Sequence, residues 1–355
     1  MENKKVTILK VAATYIGTVV GAGFASGQET LQFFAVFKGK GLMGLFIVTI
    51  LFTVFGYIIM DLGRELNSKS HLEIIKHTSG KFLGTMLDYL IIFFLFGALT
   101  AMLAGSGALV NQQFGINSVW GNLLMGIFTV ITVLAGLKGV INSISTVVPF
   151  LIVSCVGISL FSVLFIPPTT TEFVMVSAEA SGLIRNWVWA AILYTSYNIV
   201  LAISVLGPLG VKGQDKKTIR NGAILGGIGL GAAAIAIYLA VMNNLNTVQN
   251  YEVPMLFIAS RLSYAVQIIY SIVLIAEIYT TAVGSLYGFS ARITDLNGKY
   301  AKYIIIGTAF FAFIASQLGF SNLVKYLYPI VGYAGIILLV TLLITKLKTL
   351  KKVKI

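Results

Sequence analysis

Val20-Gly21-Ala22-Gly23-Phe24-Ala25-Ser26-Gly27-Gln28-Glu29 interrupts the first long apolar segment of this chain with three glycines and closes it on a carboxylate. Glycine costs about 1 kcal/mol relative to alanine in a helix interior. At membrane depth, backbone N–H and C=O groups freed from a helix persist only where protein, ion or ligand satisfies them. The stretch therefore reads as a discontinuous helix lining a binding site.

The membrane setting follows from composition. The 355 residues are 57% apolar and 10% charged, with a mean hydropathy of +0.93, which excludes a water-soluble domain. A spanning helix needs about 20 apolar residues. Ten stretches qualify, at about 6–36, 41–65, 82–112, 118–137, 141–166, 183–209, 219–243, 263–290, 300–318 and 322–345. They use nearly the whole chain, leaving a single transmembrane domain, 1–355, and no soluble module. The opening Met-Glu-Asn-Lys-Lys leads into an uninterrupted segment with no cleavage site after a short apolar core, so the first helix is expected to stay in the mature protein.

The net charge of +13 orients these helices rather than recruiting nucleic acid. With the N-terminus cytoplasmic, all but five of the 25 Lys and Arg residues fall inside, the exceptions being Lys38, Lys40, Arg185, Arg261 and Lys325. That distribution obeys the positive-inside rule and predicts a multi-pass protein of the cytoplasmic membrane with both termini cytoplasmic. The basic C-terminal tail reads as a topological anchor, with contact to anionic lipid as the other possibility. The single cysteine, Cys155, allows no intrachain disulfide, and no metal-ligand spacing occurs. His71 and His77 read as solvated loop residues among Lys69, Glu73 and Lys76.

Five helices per half force the second half upside down relative to the first, the topology of an inverted repeat, with repeat one at about 6–166 and repeat two at about 183–345. Segment six should then be broken where segment one is. It reads Trp187-Val-Trp-Ala-Ala-Ile-Leu-Tyr194-Thr195-Ser196-Tyr197-Asn198, a polar and aromatic run that a lipid-facing helix would not place at its centre. Paired interruptions in corresponding positions point to a transporter's site. Between segments seven and eight, the Asn- and Gln-rich stretch 243–251 and Val253-Pro254-Met255 predict a small re-entrant or surface helix able to act as a lid. Pro167-Pro168 and the threonines up to Thr171, with Glu172 and Glu179, read as an external loop. Gly222, Gly226, Gly227, Gly229 and Gly231 in segment seven read as a close-packing face.

Four carboxylates are candidates for burial: Glu29, Asp61, Asp88 and Glu277. Asp61 and Asp88 lie near cytoplasmic helix ends beside Arg64 and Lys81, where ion pairing explains them. Glu277 falls mid-segment, where a charge costs at least ~2.5 kcal/mol by insertion scales. Thr280 and Thr281 follow at i+3 and i+4 on the same helix face. Two hydroxyls with carbonyls from a nearby unwound helix suit sodium, while threonine bonding its own preceding turn is the alternative. Glu29 either recognises a cationic solute, or gates an outer vestibule, or pairs with Lys38, Lys40 or Arg185. The spacing of Gly21, Gly23 and Gly27 is no phosphate loop, because no strand precedes it and no Walker lysine follows. No Ser-His-Asp or Cys-His set is assembled, so an enzyme is not expected.

The motif from Gly17 to Glu29 resembles helix 1 of the YkvI-type bacterial membrane proteins, and the resemblance extends over essentially the full length. That family is similar to the amino acid-polyamine-organocation superfamily, with a LeuT-like fold of five-plus-five inverted helices in which helices 1 and 6 are discontinuous. The resemblance implies that Gly21, Ala22 and Gly23 form the unwound segment whose amides bind a substrate carboxylate, and that Tyr194, Thr195, Ser196 and Asn198 form the facing wall. It implies a sodium site of Gly17 and Val20 carbonyls with Glu277, Thr280 and Thr281. A glutamate at position 277 departs from the small residue usual there and points to proton coupling instead, while the absence of a lysine in helix 5 favours sodium. The expected function is secondary active transport of a small amino-acid-like or amine solute by alternating access. No cofactor beyond the coupling ion and no nucleic-acid partner is expected, and the oligomeric state is left open. The competing readings are a channel or a non-transporting membrane sensor with a transporter-derived fold.

Overall fold

The computed structural model describes residues 7–68, 70–135, 137–169, 183–213, 215–296 and 298–352, and for 137–149 and 350–352 the backbone alone. Among these residues the chain is helical, with no strand. The first apolar segment divides into α1 (Ile8–Val19), α2 (Ala22–Ala25) and α3 (Gln28–Phe33). Then follow α4 (Gly39–Glu65), α5 (His71–Phe114), α6 (Ser118–Leu134), α7 (Leu137–Phe165), α8 (Trp187–Lys212) and α9 (Lys216–Met242). The short α10 (Leu245–Val248) and α11 (Pro254–Leu262) precede α12 (Tyr264–Ile293) and α13 (Ala301–Ser316). A turn at α14 (Phe320–Asn322) and a π-helical turn (Leu323–Leu327) lead into α15 (Tyr328–Lys352). Six helices are long and apolar enough to cross a membrane, and Ile8–Val19, Ser118–Leu134, Phe150–Phe165 and Ala301–Ser316 are shorter apolar helices. The expected external loop at 167–179 lies, beyond Thr169, outside the described residues.

α4 packs against α8 and α9, α1 against α9, α5 against α12, and α15 against α8. Small residues set these crossings. A methyl on Gly63 would run into the Gly207 carbonyl, and one on Gly210 into the Met60 carbonyl, so α4 and α8 touch backbone to backbone. The glycine face of α9 does what its spacing predicts: Gly222 and Gly226 admit Val11 and Tyr15 of α1, and Gly227 and Gly231 admit Thr53 and Thr49 of α4.

The ends of α4, α9 and α15 are tied at one face by Asp61. This fully buried carboxylate meets Lys346, meets Arg64 at 3.1 Å and Lys216 at 3.9 Å, and accepts a hydrogen bond from the Tyr57 hydroxyl at 3.2 Å. Asp88 finds Arg292 of α12 and His71 Nε2 at 3.3 Å, instead of Arg64 or Lys81. His71 is thus no solvated loop residue. It begins α5, whose first two turns are set off by the left-handed Gly80 (φ 71°), and the kink folds it back onto Asp88, while His77 is exposed.

Two short helices occupy the connection between α9 and α12, where the sequence predicts one. Pro254 opens α11, where a missing N–H costs nothing. The Val253 peptide is clasped by the Gln112 side chain, which donates to its carbonyl (3.0 Å) and accepts from its N–H (3.1 Å). Glu252 accepts from the Ser321 N–H at 3.3 Å.

Candidate functional site

α1 stops because the chain turns extended at Val20 (φ −72°, ψ 109°) and Gly21 (φ −123°, ψ −173°). A second departure follows at Gly27, whose φ of +79° lies in the left-handed region that favours glycine, and where a Cβ would press on Met255 and Pro254 of α11. Neighbouring helices answer the carbonyls between these two points. The Ala25 carbonyl accepts from the Tyr270 hydroxyl of α12 and, at 3.7 Å, from the Cys155 thiol of α7. The Ser26 carbonyl accepts from the Met255 N–H at 2.9 Å. Ser26 Oγ donates to the Gly23 carbonyl at 2.9 Å and accepts from the Gln28 N–H at 3.2 Å. Irregular backbone deep in an apolar bundle is thereby sustained by protein groups.

Two buried carboxylates flank the break. Glu29, 6% exposed, sits in the first turn of α3 and folds back over α2. A Cβ placed on Gly23 would coincide with Glu29 Oε1 and lie 3.0 Å from its Cδ and 3.1 Å from its Cγ, so the bare glycine makes the room for this side chain. The Tyr194 and Tyr197 phenols stand beside the carboxylate, although the Tyr197 hydroxyl completes no hydrogen bond of ordinary geometry among the described residues. None of the ion pairs formed among the described residues includes Glu29.

Glu277, 3% exposed, lies on α12, which packs against α2. Thr280 Oγ1 donates to its carbonyl (3.0 Å) and Thr281 Oγ1 to its Oε1 (3.4 Å), while Oε2 is buried without a partner. Thr281 faces the break: its hydroxyl is 3.9 Å from where a Gly21 Cβ would stand. Both residues are half-buried. Gly17 lies in the last turn of α1 and Val20 at its C-cap.

Segment six differs from expectation. α8 runs unbroken from Trp187 to Lys212 through Tyr194, Thr195, Ser196 and Asn198, so helix 6 is not discontinuous. Its polar side chains are accommodated without unwinding. Asn198 Nδ2 donates to the Tyr194 carbonyl one turn earlier (2.9 Å), and Ser196 Oγ donates to the Gly332 carbonyl of α15 (2.7 Å). All four are buried against protein, with the Thr195 hydroxyl unpartnered. The polar run is buried as its sequence suggests, but its backbone stays helical where the sequence predicts a break, because a polar run inside a helix signals burial as readily as a break.

Sequence reasoning names Tyr194 but passes over the other aromatic side chains clustered with it near Glu29. Phe33 of α3 lies 5.4 Å from Tyr194 and 5.7 Å from Tyr197, centroid to centroid. Tyr197 lies 5.0 Å from Tyr328 of α15, and Phe94 of α5 meets Tyr197 (6.0 Å) and Tyr328 (5.6 Å). The i, i+3 spacing of Tyr194 and Tyr197 was a legible signal for one face. Nothing local in the sequence marks Phe94 or Tyr328.

The fold is thus a bundle of long apolar helices, the first of them broken beside buried carboxylates. The structure superposes on a mutant form of the manganese transporter of Eremococcus coleocola with a TM-score of 0.62, at 12% identity, over 95% of this chain and 78% of that one. It superposes on MhsT in complex with L-phenylalanine with a TM-score of 0.58, at 17% identity, over 92% and 87% of the two chains. For the inward-facing conformation of Mhp1 the TM-score is 0.55, at 13% identity, over 94% and 75%. At such identities the likeness establishes the fold. No family model matches the chain. It is 30% identical over 98% of both chains to the membrane protein YkvI of Bacillus subtilis (strain 168), and 28% identical over 93% of this chain and 94% of the other to YyaD of the same organism. The chain belongs to the YkvI family of membrane proteins.

Proposed function

We propose that this protein is an ion-coupled secondary transporter of a small amino-acid-like or amine solute, bound beside the α1–α2 break and released by alternating access. The observation that carries the reading is the convergence at one break in α1 of Glu29, seated on Gly23, and of Thr281, facing Gly21. In this reading ten spans form two inverted repeats of five, at about 6–166 and 183–345, in the bacterial cytoplasmic membrane with both termini cytoplasmic. The four shorter apolar helices are the spans beyond the six long ones. Gly21, Ala22 and Gly23 meet the solute from one side and Tyr194, Thr195, Ser196 and Asn198 from the other.

Sodium is the favoured coupling ion. The Thr280 and Thr281 hydroxyls spend their protons on Glu277 and keep oxygen lone pairs for a cation, and Glu277 Oε2 lacks any partner. The Gly17 and Val20 carbonyls would complete the oxygen set. Proton coupling is the second reading, favoured by the same orphan oxygen, because a buried carboxylate without a cation is accommodated by protonation.

The test is uptake of a labelled amino-acid mixture by proteoliposomes under an imposed sodium gradient. Accumulation that collapses with the gradient, and a Thr281→Ala variant needing several times more sodium for half-maximal uptake, support the reading. Accumulation driven by a pH gradient and indifferent to sodium would make the proton the coupling ion. Binding without any accumulation would make the protein a sensor, and unsaturable flux a channel.

A further inference from the structure

We propose that Glu29 and the aromatic side chains around it form a recognition site for an organic ammonium group. The site is a buried carboxylate with the Tyr194 and Tyr197 phenols beside it and a cluster of aromatic rings around them, a setting that suits an organic cation better than a metal ion or an anion. Phe33, Phe94, Tyr194, Tyr197 and Tyr328 pack with centroids 5.0–6.0 Å apart in the contacts that link them, and each is at most 4% exposed. Glu29 has no Lys or Arg ion-pair partner among the described residues, so none of these residues supplies a cation to its carboxylate. Charges at such depth are paired or functional.

An alkali or divalent cation wants several oxygen ligands. Here the walls beyond one carboxylate and the phenols are carbon rings, and among the described residues no group of three His, Cys, Asp or Glu side chains gathers to hold a metal. Ring faces attract cations within about 6 Å of the centroid, and most strongly when water is excluded. An ammonium supplies several N–H donors at once to a carboxylate that can only accept, and to a Tyr197 oxygen that completes no hydrogen bond of ordinary geometry among the described residues. The rings close on one another here, so the ligand enters as Tyr197 and Tyr328 part. An anion would face the Glu29 charge directly.

The proposal deepens the transport reading by naming the solute's recognised group, and rests on that reading only for the ligand being carried. The test titrates purified full-length protein in detergent with n-butylammonium, 1-butanol and butyrate, reading heat and thermal stability. Butylammonium is expected to bind and stabilise while butanol and butyrate do not. Glu29→Gln should weaken butylammonium binding at least about tenfold, a loss of some 1.4 kcal/mol, and Tyr197→Phe by a smaller factor. Glu29→Asp, which keeps the charge but withdraws it by one methylene, should fall between. Equal binding of butanol and butylammonium by the parent protein, a comparison that needs no variant to fold, would overturn the proposal. Unchanged affinity in Glu29→Gln would do the same. Amino-acid accumulation in proteoliposomes without butylammonium binding refutes this site alone, and butylammonium binding without accumulation refutes transport alone.

Discussion

Replacing Gly23 with alanine adds one methyl group at the point where the structure has least room for it. The new Cβ would coincide with Glu29 Oε1 and stand 3.0 and 3.1 Å from Cδ and Cγ. Because the contact reaches Cγ as well as the carboxylate tip, rotating the terminal oxygens alone does not relieve it, and the whole side chain must swing off α2. Overpacking of this kind costs about 1–3 kcal/mol. Alanine for glycine inside a helix returns up to about 1 kcal/mol, and Gly23 lies within α2 without a positive φ. The net loss of stability is therefore roughly 0–3 kcal/mol, so the melting temperature in detergent falls by a few degrees and the protein stays folded. Function should suffer far more, because the displaced carboxylate takes the charge away from the break. Uptake in proteoliposomes and butylammonium affinity should each fall by about tenfold or more. A double variant, Gly23→Ala with Glu29→Ala, removes the collision and should recover the lost melting temperature without recovering uptake. Parental uptake and affinity in Gly23→Ala would refute the placing of the solute at this break.

The Asp61 network and the clasp at α11 yield two further outcomes. Asp61→Asn leaves the Lys346 ammonium, whose side chain is 9% exposed, with only the distant Glu65 carboxylate at 4.0 Å among the described residues. Orphaning a buried charge costs about 3–5 kcal/mol, with the lower end expected because the Arg64 and Lys216 side chains are 29% and 58% exposed. Asp61→Leu combined with Lys346→Met should be less damaging than Asp61→Asn alone in denaturant titration, and a harmless Asp61→Asn would disprove the burial argument. Burial raises the Glu252 carboxyl above its ordinary range, against opposing hydrogen bonds from the Ser321 and Phe320 backbone. The folded state thus binds its proton more tightly than the unfolded one, so stability is greatest below the unfolded value and declines as pH rises through the folded one. Glu252→Gln should flatten that part of the stability–pH curve measured by thermal melts, and an unchanged slope would count against it.

The sequence by itself carried the membrane setting, the positions of most apolar segments and the break at Val20–Gly21, because each depends on local quantities. Runs of about 20 apolar residues need a bilayer, and clustered glycines weaken a helix wherever they stand. It also singled out Glu29 and Glu277 as carboxylates for burial, with Thr280 and Thr281 on the face of Glu277, since a carboxylate in an apolar run is conspicuous without coordinates. Tertiary structure alone decided what these groups meet. Within the continuous α8, Ser196 is satisfied by the Gly332 carbonyl 136 residues away. His71 is drawn from solvent by Asp88 and a kink at Gly80. The ring faces of Phe94 and Tyr328 reach Tyr197 from helices remote in sequence. Whether a polar side chain unwinds its helix or satisfies itself within it turns on partners supplied by other helices, and that choice is made only when the bundle packs.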